Sequence, residues 1–253
     1  MQLVWITALG VGGATVIGAL IGFIIKKIPH RFNDAVLGFA AGVMLAAAVL
    51  GLIVPSMEYG GAHGVWITIA GVMAGALFLN AIDRLVPHLH ALAGIGEDHE
   101  KHPEASAQLN RVLLFVAAIA IHNLPEGVAA GVSFGTGNVS DALTVAAGIA
   151  LQNIPEGMII IGPMLAAGVS RRRTFLIALS TGLVEVVGTL FGYMAVNVAS
   201  VILPFALAFA GGTMLYVVSV EMIPETHAHG FERGATYALL AGFSVMLILE
   251  AYL

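Results

Sequence analysis

Apolar residues run in eight stretches along the chain, separated by short polar segments. They cover roughly 3–25, 35–57, 65–86, 111–134, 142–168, 174–198, 203–222 and 235–252. At a rise of about 1.5 Å per residue, each stretch is long enough as a helix to cross a hydrocarbon layer of about 30 Å. The pattern predicts an all-α integral membrane protein with eight transmembrane helices, forming a single transmembrane domain over residues 1–253. The first stretch does not read as a cleaved leader. No basic segment precedes it, its apolar run is too long, and Lys26 and Lys27 follow it.

Composition supports this class. Hydrophobic residues make up 59% of the chain, charged residues 10%, and mean hydropathy is +0.97. The absence of cysteine removes disulfides and thiolate ligands from consideration. The net charge of −5 says less than the placement of charge. All 10 Lys and Arg residues lie in, or at the helix ends flanking, the connections between stretches one and two, three and four, five and six, or seven and eight. The remaining loops carry none. The positive-inside rule makes the basic side cytoplasmic and places both termini outside. Glycines recur four residues apart in several stretches, for example Gly18 and Gly22, Gly127 and Gly131, and Gly188 and Gly192. That spacing reads as close helix packing, or alternatively as contacts that slide.

The polar residues inside the stretches change the picture. Two hexapeptides, His122-Asn123-Leu124-Pro125-Glu126-Gly127 and Gln152-Asn153-Ile154-Pro155-Glu156-Gly157, lie 30 residues apart. Each sets a metal-capable side chain and a carboxylate at i and i+4, on one helix face. Each also carries a proline that removes a backbone hydrogen bond and frees a carbonyl one turn earlier. Counting rise per residue places His122 and Glu185 roughly 17 Å from the basic side, and Glu156 roughly 21 Å from the other side. Three helices thus bring polar groups to the middle of the membrane. The same count leaves Glu221 near the cytoplasmic end. Isolated carboxylates at that depth repel one another and take up protons, whereas a divalent cation resolves both problems. Imidazole, carboxylate and amide oxygens together suit Zn²⁺, Fe²⁺ or Mn²⁺. The candidate metal ligands are His122, Asn123, Glu126, Gln152, Asn153, Glu156 and Glu185. The bland alternative is that these groups only hydrogen-bond their neighbours and set the packing.

Residues 88–110 form a His- and acid-rich cytoplasmic loop, read either as a loose metal-binding tract or as a solvated segment. Asp83, His88, His90, Glu221, Glu225 and His227 are candidates for lining a pathway on that side. No Walker-type glycine loop, H-E-x-x-H zincin motif or nucleophile elbow occurs, and no basic patch suits nucleic acid. The chain is not expected to be an enzyme.

With eight spans, H-N-x-P-E-G in the fourth, Q-N-x-P-E-G in the fifth and a Glu in the sixth, the chain resembles the ZIP (Zrt/Irt-like) divalent-metal transporters. Stretches such as 82–90 and Met222-Ile223-Pro224-Glu225-Thr226-His227 resemble the prokaryotic GufA-like branch. The resemblance implies that helices 1–3 and 6–8 form an inverted repeat around helices 4 and 5. It implies a homodimer-capable bundle, and transport toward the cytoplasm by alternating access, a four-helix unit moving against a scaffold. It also implies a binuclear site. His122, Glu126, Gln152, Glu156 and Glu185 would hold one ion, and Asn123, Glu126, Asn153, Glu156 and Glu185 the other. Met44 would lie near the outer entrance. Many relatives carry His where this chain has Gln152, and some carry Asp where it has Asn153, so the second ion meets less negative charge here.

The expected substrate is a divalent transition-metal ion, zinc foremost, with iron, manganese, cadmium and cobalt as others. No prosthetic group is expected. The expected partners are these ions, the lipid bilayer and a second copy of the chain. Two other readings remain open from the residues alone: a proton-coupled carrier of an organic solute, and a membrane-embedded metalloenzyme.

Overall fold

The computed structural model describes residues 1–25, 29–92 and 103–253; the side chains at 83, 85–92, 103–115 and 118 lie outside that description. Among the described residues the long helices are α1 (Gln2–Ile24), α2 (His30–Tyr59), α3 (Gly64–Leu92), α4 (Pro103–Ser133), α5 (Val139–Ala166), α6 (Arg171–Val198), α7 (Ser200–Thr226) and α8 (Glu232–Tyr252). No strand occurs among the described residues. Seven segments among the described residues, belonging to all of these helices except α4, are long and apolar enough to cross a membrane. Their outward faces carry large apolar side chains, such as Trp66, Leu77, Phe191 and Leu240, as a lipid environment requires. Lys26, Lys27 and Lys101 lie outside the described residues, as do residues 93–102 of the His- and acid-rich segment, whereas 88–92 and 103–110, expected as loop, belong to the helices α3 and α4.

The helices sort into two groups of four. In one group, α1 packs on α5 and α6, and α4 packs on α6. In the other, α2 packs on α8 and α7, and α3 packs on α7. Backbone touches backbone in each close pair. A methyl group at Gly18 or Gly157 would collide with a carbonyl across the α1–α5 contact, and one at Gly127 or Gly131 across the α4–α6 contact. Gly42 and Gly75 make the equivalent approaches to α8 and α7. The spacing-four glycines are therefore packing positions. The buried core between the groups includes Met44, Ala129, Ile149, Leu207 and Met214.

The prolines act in two ways. The motif helices α4 and α5 run on through Pro125, Pro155 and Pro163. In α2 and α7, by contrast, the helix widens into a π segment just before a proline. These segments are Ala47–Ile53 ahead of Pro55, and Val218–Met222 ahead of Pro224. A proline ring displaces the carbonyl four residues earlier and donates no hydrogen bond, and a wider turn absorbs both defects.

Candidate metal centre

Seven side chains from α4, α5 and α6 meet inside the first group. His122, Asn123, Glu126, Gln152, Asn153, Glu156 and Glu185 are all buried, none more than 8% exposed. The i, i+4 spacing does what helical geometry dictates, turning one face of α4 and one face of α5 toward each other.

Glu185 lies deepest in a ring of donors. Its Oε1 accepts from the Thr15 hydroxyl at 2.6 Å and from Asn123 Nδ2 at 2.6 Å. Its Oε2 accepts from Asn153 Nδ2 at 2.5 Å. The same amide nitrogens also reach backbone carbonyls, Asn123 to Thr181 and Asn153 to Val11, each at 3.3 Å. With both nitrogens committed, the amide oxygens face the other way. Asn123 Oδ1 and Asn153 Oδ1 are buried and have no hydrogen-bond partner.

Glu126 and Gln152 occupy the next level. They lie beside each other, yet neither carboxylate oxygen of Glu126 and neither amide atom of Gln152 makes a hydrogen bond of normal geometry. Glu126 is also close enough to Glu156 and Glu185 for the carboxylates to repel. Asn123 Oδ1, Asn153 Oδ1, Gln152 Oε1 and both oxygens of Glu126 are thus five buried acceptors without a donor in normal geometry. Each unsatisfied buried group costs about 1–3 kcal/mol, more when charged. A bound cation meets that need better than any neutral donor.

His122 and Glu156 form the accessible edge. His122 Nε2 is 2.9 Å from Glu221 Oε1, which belongs to the π turn of α7 in the second group. The depth count separates these two residues, but their side chains meet. Both, with Glu156, line a cavity of about 840 Å³ that reaches the end of α1 at Ile25, the start of α2 at His30 and the α7–α8 turn at His229. Glu225 lines this cavity too, whereas His227 lies near Thr236, 3.5 Å from its hydroxyl. Met44 is fully buried in the core. Asp83, His88 and His90 have side chains outside the described set. Among the described residues, no three His, Asp or Glu side chains already converge at metal-binding distance. The cause is visible in the pairing, since Glu185 is spent on amides and a hydroxyl and His122 faces Glu221.

Residues 88–250 match the family model for ZIP zinc transporters. The chain is 42% identical over 251 residues to the zinc transporter GufA of Myxococcus xanthus, covering 97% of this chain and 96% of that protein. It is 39% identical to the zinc transporter ZIPB of Bordetella bronchiseptica, over 95% of this chain and 78% of that one. Its identity to human zinc transporter ZIP11 is 32%, over 94% of this chain and 93% of that protein. The chain belongs to the ZIP family. The GufA-like resemblance of the motifs agrees with these relatives, which are named as transporters and not as enzymes. This ZIP chain is a multi-pass membrane protein of a divalent-metal transport family.

Two polar contacts in this ZIP chain, one inside the cluster and one at the cavity mouth, escaped sequence reasoning. Thr15 is one. Its signal is a repeat at an offset of 170: Gly12-x-x-Thr15-Val16-x-Gly18-x-Leu20-x-Gly22 against Gly182-x-x-Glu185-Val186-x-Gly188-x-Leu190-x-Gly192. Thr15 is the counterpart of Glu185, and the two hydrogen-bond each other. The other is Asp34 with His229, 195 residues apart in sequence, which no spacing argument connects.

Proposed function

We propose that this chain carries a divalent transition-metal ion, zinc foremost, across a prokaryotic plasma membrane toward the cytoplasm. The observation that carries the reading is the set of five buried acceptor oxygens without a donor in normal geometry, packed behind His122 and Glu156, which line the cavity. The zinc transporters it resembles support the choice of cargo. In this reading the first ion sits among His122, Glu126, Gln152 and Glu156, with Glu185 behind. His122 exchanges Glu221 for the ion. Glu126 and Glu156 supply the charge and neutralise the cation in a low-dielectric setting.

The second position, among Asn123, Asn153, Glu126, Glu156 and Glu185, requires hydrogen bonds to Glu185 to give way, and so fills after the first. The cavity then opens to the cytoplasm, with eight spans and both termini outside, and Glu225 lies along the exit. Two arguments support movement of α1, α4, α5 and α6 as one unit against α2, α3, α7 and α8. The close packing of helix pairs falls within these groups. The pairing also maps onto itself when helices 1–3 exchange with 6–8 and α4 with α5, as an inverted repeat requires. The widened turns at matching places in α2 and α7 fit the same symmetry. A homodimer built on the second group completes the proposal.

The test is zinc uptake into proteoliposomes. Wild-type protein should load zinc, and Glu156→Ala should reduce uptake to background while remaining folded. Undiminished uptake by that variant removes Glu156 from the site. Transport of an organic solute with protons, and no response to zinc, would favour the carrier alternative.

A further inference from the structure

The mouth of the cavity carries a second group of side chains that the midplane site does not use. His30, at the start of α2, and His229, in the α7–α8 turn, both line the cavity. Their rings stack at a centroid distance of 4.4 Å with an interplanar angle of 28°. Behind them lies Asp34, one turn on from His30 and fully buried. Its Oδ1 is 3.0 Å from His229 Nδ1, and its Oδ2 is buried with no hydrogen-bond partner.

This arrangement has a chemical logic. A carboxylate that accepts a hydrogen bond from the Nδ1–H of an imidazole fixes the tautomer, leaving Nε2 with a lone pair. Metal-binding histidines are commonly held this way, with the carboxylate behind the ring making the nitrogen a better donor. His229 is thus prepared as a ligand, and the stacked ring of His30 brings a second imidazole alongside. Glu221, Glu225 and His229 also follow one another at spacing four along the wall, from the His122 contact to the mouth. Helices α2 and α7 both belong to the second group, whereas the midplane ligands belong to the first.

We propose that His30 and His229, held by Asp34, form a separate divalent-cation site at the cavity mouth, where an ion released from the midplane pauses before leaving. This rests on the reading that the cavity conducts the cation. Two protein ligands are fewer than the three or four of a resident zinc site, so water completes the shell and the ion is held weakly. Weak holding suits a handover point.

The test uses Cd²⁺ as the probe, with anomalous scattering from crystals of the full chain. An anomalous peak beside the two rings, together with one among the α4–α5 ligands, is the expected result. In His30→Ala/His229→Ala the mouth peak should vanish while the midplane peak persists. Should that variant fold poorly, Asp34→Asn keeps the shape and should weaken mouth occupancy by about 10- to 100-fold. A filled midplane with nothing beside the rings overturns the mouth site and leaves the transport reading intact. A filled mouth with an empty midplane supports the mouth site and counts against the midplane reading. Peaks at neither place overturn both.

Discussion

The α4–α6 and α1–α5 pairs have the same frame and different chemistry. In α4–α6, Gly127 lies against the carbonyl of Glu185, and Asn123 donates to the carbonyl of Thr181. In α1–α5, Gly157 lies against the carbonyl of Thr15, and Asn153 donates to the carbonyl of Val11. The residues that finish each half then diverge. One half supplies His122 and Glu185, and the other supplies Gln152 and Thr15. The difference teaches how many charges such a site tolerates. A carboxylate in place of Thr15 would face Glu185 directly in a low-dielectric interior, where unpaired like charges are costly. A hydroxyl there becomes a donor, at 2.6 Å, and holds Glu185 in place.

The largest effect should come from breaking the frame both halves share. Gly127→Leu and Gly157→Leu each force a side chain into a carbonyl of the partner helix. Both should abolish most of the folded protein recovered on size exclusion in detergent. Normal recovery of either variant would show that the two halves are not packed alike. Next come the residues that differ. Glu185→Gln should weaken zinc binding by about 10- to 100-fold in calorimetry, and Thr15→Val by less than tenfold, with Thr15→Ser restoring it. Equal losses would deny the division of roles. Smaller again is Gln152→His, which gives both halves an imidazole and should tighten zinc binding about tenfold, since imidazole is the better zinc ligand. The smallest effect is that of mild acid. His122 must be unprotonated to bind an ion, so binding should fall severalfold as pH drops from about 7.5 to about 5.5. A flat response would remove the imidazole from the site.

Much of this was legible in the sequence. The apolar run at 35–57 sits within α2 (His30–Tyr59), and the run at 142–168 nearly matches α5 (Val139–Ala166). The α3 and α4 helices extend beyond their apolar runs, because a helix need not stop where the lipid does. The twin hexapeptides gave their residues away by spacing, since i and i+4 share a face whatever the tertiary structure. Thr15 stayed hidden because a threonine in an apolar helix ordinarily only packs or bonds its own backbone. The π turns stayed hidden because a count at constant rise assumes a regular helix, although Pro55 and Pro224 marked their places. Asp34 and His229 meet only through the fold.

Glu126 is the decisive residue, with two oxygens buried and without a hydrogen-bond donor in normal geometry. Glu126→Gln keeps the shape and removes the charge. Zinc uptake into proteoliposomes, measured at matched amounts of folded protein, tests it most directly. The variant should reconstitute normally and take up zinc no faster than empty vesicles. Uptake at the wild-type rate would contradict a metal-binding role for Glu126.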